Sequence, residues 1–153
     1  MRVYNIDCRC GFGRICVFKV IYKDKNEADL LMGDILIQRI YDHDIKAGCH
    51  ILVDRLWPRG IRKDAVSLDS WYKEIAPTPE LRKWFAHSPE RFEEFTVRYV
   101  KELDENPKAS EFIDCCRQAL SKEDLILLYA AKDTRINHAT VLKDWLSVKL
   151  RSK

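Results

Sequence analysis

A chain of 153 residues with 46% hydrophobic and 33% charged side chains is one ordinary globular domain, neither a disordered tail nor a coiled-coil rod. Such a length buries roughly 68–70% of the unfolded surface without staples. No apolar run approaches the roughly 20 residues of a membrane span, and the net charge, 27 − 24 = +3, is too small to argue for nucleic acid by itself.

In chain order, the first 31 residues read differently from the rest. The opening MRVYNIDCRCGFGR lacks the apolar segment and small-residue cleavage site of a secretory signal, so a cytoplasmic protein is expected. Residues 14–22, RICVFKVIY, are apolar and β-branched enough for a strand, and residues 23–29, KDKNEAD, form a solvated charge run. The text becomes regular from Met32. Residues 35–41 (ILIQRIY) and 49–56 (CHILVDRL) are strand candidates, separated by the polar turn DHDIKAG. A helical stretch follows, punctuated by Thr78-Pro79, Ser88-Pro89 and Asn106-Pro107, each an N-cap residue before a proline. Phe92, Phe95, Tyr99 and Leu103 then recur at helical spacing, as do Phe112, Ile113, Cys116 and Leu120. Residues 125–130, LILLYA, form a short unbroken apolar run that suits a strand covered on both faces. Residues 137–150 close the chain as an amphipathic helix carrying Val141, Leu142, Trp145 and Leu146. The expected architecture is α/β, a small mixed sheet packed with helices in a single compact domain at 32–153. Trp84, Phe85, Phe92, Phe95, Leu127, Leu142 and Trp145 are expected to supply most of its core.

The six cysteines read as reduced thiols. Cys8, Cys10 and Cys16 have a metal-like spacing, but structural zinc wants four ligands and no fourth lies nearby, so no metal is assigned. No cofactor is implied.

Two segments are chemically loaded, and both stand where a strand ends. In the first, Asp54, Arg55, Trp57 and Arg59 follow an apolar run broken by Pro58 and Gly60. In the second, Lys132, Asp133, Asn137 and His138 lead from a buried-looking strand into the last helix. Ligands of open α/β sheets sit beyond the carboxyl ends of the strands, and helix N-termini attract anions. Each residue also has a plainer reading. Asp54 and Arg55 would pair with neighbours at a sheet edge, Trp57 would be core, and His138 a hydrogen-bonded structural histidine. His87, at a helix end, would complement the dipole. Arg82, Arg91 and Arg98 read as a solvated face, and His43 and His50 as ordinary residues.

The stretches VDRLWPRG at 53–60, Trp71, APTPELRKWFAH at 76–87, Pro89-Glu90-Arg91-Phe92 and LLYAAKDTRINHATVL at 127–142 resemble the YeaO-like family, the domain of unknown function numbered 488. The resemblance spans about residues 35–150 and implies a compact α/β fold without a particular activity. It also implies that longer relatives carry a cysteine–histidine pair where this chain has Asn137-His138, which leaves this loop without a thiol nucleophile.

Two functional readings compete. The first is an enzyme on a small anionic or phosphorylated substrate. In it Arg55, Arg59, Trp57, Lys132 and Asn137 bind, and His138, Asp133 and Asp54 serve proton transfer or catalysis. The second is a non-catalytic module for a nucleotide or nucleic acid, in which the same cations act with Trp57 as a stacking surface. The balanced charge weighs against a duplex partner. A third, a structural partner protein, leaves the polar loops without a purpose. Oligomeric state has no signature here.

Residues 1–31 are expected to be an appendage or an upstream-extended reading of the gene, against the alternative that residues 14–22 add an edge strand. A chain begun at Met32 should therefore keep its melting temperature. A fall of more than about 10 °C would make the segment integral, since 1 kcal/mol moves a domain of this size by only a few degrees.

Overall fold

The computed structural model describes residues 33–151, and the appendage expected at 1–31 lies outside them. Four strands form the sheet: β1 (Ile35–Arg39), β2 (Cys49–Leu52), β3 (Ser70–Trp71) and β4 (Leu125–Tyr129). Four α-helices accompany them: α1 (Pro79–Phe85), α2 (Phe92–Glu105), α3 (Ala109–Leu120) and α4 (His138–Arg151). The sheet order is β1-β4-β2-β3. The α/β class and the small sheet match the sequence reading. The strand directions are uniform where a mixed sheet was expected: every pairing is parallel.

The unbroken apolar text of β4 explains its place. All five of its residues, LILLY, are buried, and it is flanked on both edges. Ile35 pairs with Leu125 on one side and Cys49 with Leu125 on the other. β1 and β2 are thus not neighbours; residues 40–48 carry the chain past β4. Two glycines, one before β1 and one before β2, let the chain approach the loop before β4 closely. A Cβ on Gly33 would stand 2.0 Å from the Glu123 carbonyl oxygen, and one on Gly48 (φ +140°) would stand 2.4 Å from that of Asp124.

The period-two side-chain alternation of strands splits the core between the two faces of the sheet. Leu125, Leu127 and Tyr129 face the helices, where they meet Phe95, Tyr99, Phe112, Leu142 and Leu146. Ile126 and Leu128 face the other way, onto Ile40 and Leu52 under a cover of Trp57, Ile61, Val66 and Trp71. That second cover comes from the loops that connect β1, β2 and β3 and from Trp71 of β3 itself. Of the expected core, Phe85, Phe95, Leu127, Leu142 and Trp145 are buried, while Trp84 and Phe92 are only partly so. Trp84 lies between the guanidinium groups of Arg91 and Arg98, at 5.6 and 4.4 Å from its ring centroid.

The proline punctuation works unevenly. Thr78 caps α1, its hydroxyl accepting from the Leu81 amide at 3.3 Å, and it also donates to Glu102 of α2 at 2.6 Å. Ser88 makes no cap bond, and Pro89–Arg91 forms a 3-10 turn before α2. Asn106 receives the Lys108 amide at 2.8 Å, and α3 starts at Ala109. Among the described residues no helix is long and apolar enough to cross a membrane.

Phe95 is 1% exposed and stacks on Phe85 with ring centroids 4.1 Å apart. Phe95→Ala should cost about 3–5 kcal/mol in a urea titration, the usual range for a buried phenylalanine. A loss under about 1 kcal/mol would put the ring outside the core.

Candidate functional site

Parallel pairing brings the carboxyl ends of β2 and β4 to one edge of the sheet, with the start of α4 beside them. A cleft of about 620 Å³ opens there, within the usual size of small-molecule sites. Of the residues singled out in the sequence, Asp54, Arg55, Trp57, Arg59, Lys132, Asp133 and His138 line it. Asn137 does not.

Asp54 is the hinge of this edge. One carboxylate oxygen accepts the Ala130 amide at 2.6 Å, so the end of β2 holds the first residue beyond β4. The other lies 3.4 Å from His138 Nε2, which is also 3.3 Å from the Val53 carbonyl oxygen. Both neighbours of that nitrogen are acceptors, which assigns the proton of the neutral ring to Nε2. The Asp54 carbonyl in turn accepts Trp71 Nε1–H at 2.7 Å, so β3 is tied to the same residue. Burial pushes the Asp54 carboxyl above its ordinary range, with the His138 ring and the Ala130 amide opposing. The same burial holds His138 below the usual histidine range, opposed by Asp54 and the Val53 carbonyl. Burial thus disfavours the charged form of both partners, the carboxylate and the imidazolium alike.

Several other side chains are engaged by the backbone. Arg55 donates to the carbonyls of Pro77 at 3.2 Å and Ala76 at 3.0 Å, which fixes the turn before α1. One Asp133 carboxylate oxygen accepts the amides of Arg135 and Ile136, both at 2.8 Å, and these bonds draw its carboxyl below the ordinary range. Asn137 is fully buried as the N-cap of α4: it receives the Thr140 amide at 3.0 Å and donates to the Asp133 carbonyl at 2.9 Å. Trp57 donates to the Ile61 carbonyl at 2.7 Å and meets Trp71 edge-to-face, 5.6 Å between centroids. Arg59 and Lys132 stand exposed on the rim.

The cleft also contains residues that the sequence reading set aside. Arg82 belongs to it rather than to a solvated helix face, and Tyr41, Phe85, His87 and Phe95 complete the wall. Tyr41 donates its hydroxyl to the Arg59 carbonyl at 3.0 Å. His87 follows an unusual helix end, since Ala86 (φ 47°) and His87 (φ 56°) are both left-handed. One such residue, commonly glycine, is the ordinary way to end a helix. Each residue with a Cβ there costs roughly 1–2 kcal/mol.

Among the described residues no cysteine, serine or threonine lines the cleft. The described cysteines are free: Cys49 sits at the amino end of β2, while Cys115 and Cys116 lie on α3. Burial raises the Cys49 thiol to about 11 and Cys116 higher still, which disfavours the thiolate at neutral pH. Among the described residues no His, Cys, Asp and Glu cluster could hold a metal ion.

Fold and edge together define a small parallel α/β domain with one cation-rimmed cleft at the carboxyl ends of its central strands. Residues 34–153 match the family model DUF488-N3i, described as the inactive DUF488-N3 subclade, and the chain belongs to this family. It is 43% identical over 114 residues to the uncharacterized protein YeaO of Escherichia coli, covering 74% of this chain and 96% of that protein. It is 38% identical over 114 residues to the uncharacterized protein Rv3073c of Mycobacterium tuberculosis, covering 74% of this chain and 93% of that protein. No solved structure matches.

The lowered His138 pKa makes a signed statement about stability. An unfolded histidine takes up its proton near pH 6.5, while the folded ring resists it, so this contribution is lost as pH falls below about 6.5. Asp54 acts oppositely and lower in pH, because its raised folded pKa takes up a proton before the unfolded value near 3.9 is reached. The melting temperature should thus fall on acidification from pH 7 to 5.5, and less steeply in His138→Gln. Parallel profiles for the two proteins would mean that the folded ring titrates freely.

Proposed function

We propose that the cleft is a non-catalytic binding site for a small anionic ligand with an apolar or planar portion. The observation that carries this reading is the charge on its wall. Arg59, Arg82 and Lys132 face it beside Arg55 and Asp133, which are engaged by backbone carbonyls and amides, and against the Asp54 carboxyl. Guanidinium groups suit oxyanions because they donate in a planar fork. Phe85, Phe95, Leu56 and Trp57 supply apolar surface beside them. The absence of a thiol or aliphatic hydroxyl from the lining supports binding over nucleophilic turnover. The inactive description of the matching subclade points the same way. A cytoplasmic setting belongs to this proposal.

One observation favours the enzymatic alternative. Asp54 and His138 form an acid–base pair at the base of a cation-rimmed cleft, an arrangement that general acid–base catalysis uses. Turnover of phosphate monoesters or phosphodiesters that is abolished in both Asp54→Asn and His138→Gln would establish it over simple binding.

A thermal-shift series with inorganic phosphate, adenosine 5′-monophosphate, ATP and a short oligonucleotide tests the binding reading. A ligand at about 100 times its dissociation constant stabilises the fold by about 2.7 kcal/mol. The shift should shrink in Arg59→Ala and Lys132→Ala and weaken with salt. No shift with any anion would refute the proposal. A shift with the oligonucleotide alone would transfer it to nucleic acid.

A further inference from the structure

The consecutive left-handed residues after α1 are unexplained by the fold. The chain must reverse between Phe85 and Ser88, and the Ala86 amide closes onto the Arg82 carbonyl at 3.1 Å while the Ser88 amide closes onto that of Phe85 at 2.9 Å. Glycine would make this reversal without strain. Instead the strained stretch ends in an imidazole on the cleft wall, exposed to solvent. Its ring touches Phe85, 5.5 Å between centroids, and makes no hydrogen bond or ion pair with the described residues. It lines the cleft together with Asp54, Asp133 and His138. Strained backbone of this kind persists where the side chain it presents has a use.

We infer that His87 is a ligand-contacting residue of the cleft, donating from its ring to an oxyanion of the bound molecule beside Arg82, and that the left-handed turn exists to present it. The inference rests on the anion-binding reading above and adds to it a specific donor from the α1 side, facing the cations of the β2 and β4 loops. Stability and binding are opposed at this turn. Ala86 contributes no side chain to the cleft, so Ala86→Gly removes strain and nothing else. His87→Gly removes strain and the donor together; His87→Ala removes the donor and keeps the strain.

The three variants and the unaltered protein are compared by thermal melting and by calorimetric titration with inorganic phosphate and adenosine 5′-monophosphate. Ala86→Gly and His87→Gly should each melt about 2–4 °C higher. Ala86→Gly should bind both probes as the unaltered protein does. His87→Gly and His87→Ala should bind at least one of them about tenfold more weakly, the loss of one good charge-assisted contact. Tight binding by the unaltered protein that survives intact in His87→Gly would overturn this inference alone. No binding of either probe by the unaltered protein would overturn it together with the anion-binding reading.

Discussion

A nearly buried carboxylate at the end of β2 organises everything on the functional side of this domain. The Asp54 carboxylate accepts the amide that follows β4 and stands 3.4 Å from the first helical side chain of α4, and the Asp54 carbonyl receives the indole of β3. Burying a carboxylate is expensive unless each oxygen finds a donor. Here the amide after β4 and the His138 ring of α4 stand at the two oxygens, so the desolvation penalty of one residue is offset only when both are in place. The position of the loops at the rim follows from that condition.

The same condition separates structural polar groups from available ones. Arg55, Asp133 and Asn137 are committed to carbonyls and amides within the edge. What remains toward solvent is Arg59, Arg82, Lys132 and His87, all basic in type. Among the described residues, the floor of the cleft is thus satisfied internally while the groups toward solvent are basic side chains, the setting in which the proposed anion would bind.

Much of this was legible in the residues. LILLY could be read as a central strand because nothing in it tolerates water, and Asn137 as a helix cap because it precedes an amphipathic stripe. Uniform strand direction was not legible, since β1 and β2 are separated by a turn-like segment that in fact crosses past β4. The two-residue β3 was missed because so short a strand has no period, and it owes its existence to pairing with Ile51 and Leu52. In the site, residues on the two strand-end loops were accessible from their punctuation, whereas Arg82 was hidden among helical charges of similar look. His87 had a trace in the sequence: a helix ending in Ala-His where a glycine would be expected.

The two faces of the sheet are covered unequally, by helices on one and by the loops of residues 40–48 and 53–69 on the other. The loop-covered side buries fully only Ile40, Leu52, Ile126 and Leu128. Local opening follows the density of buried contacts, so amide exchange on that side should reflect sub-global breathing rather than complete unfolding. The strand ladder of β4 is bonded to both neighbours and packed by α4, and it stays closed during such an event. The flank bearing Trp57 should thus be the more pliable border of the cleft, and the helical wall bearing Phe85, Phe95 and His138 the firmer one. A ligand entering from the pliable side would slow the breathing of those loops without disturbing the helices.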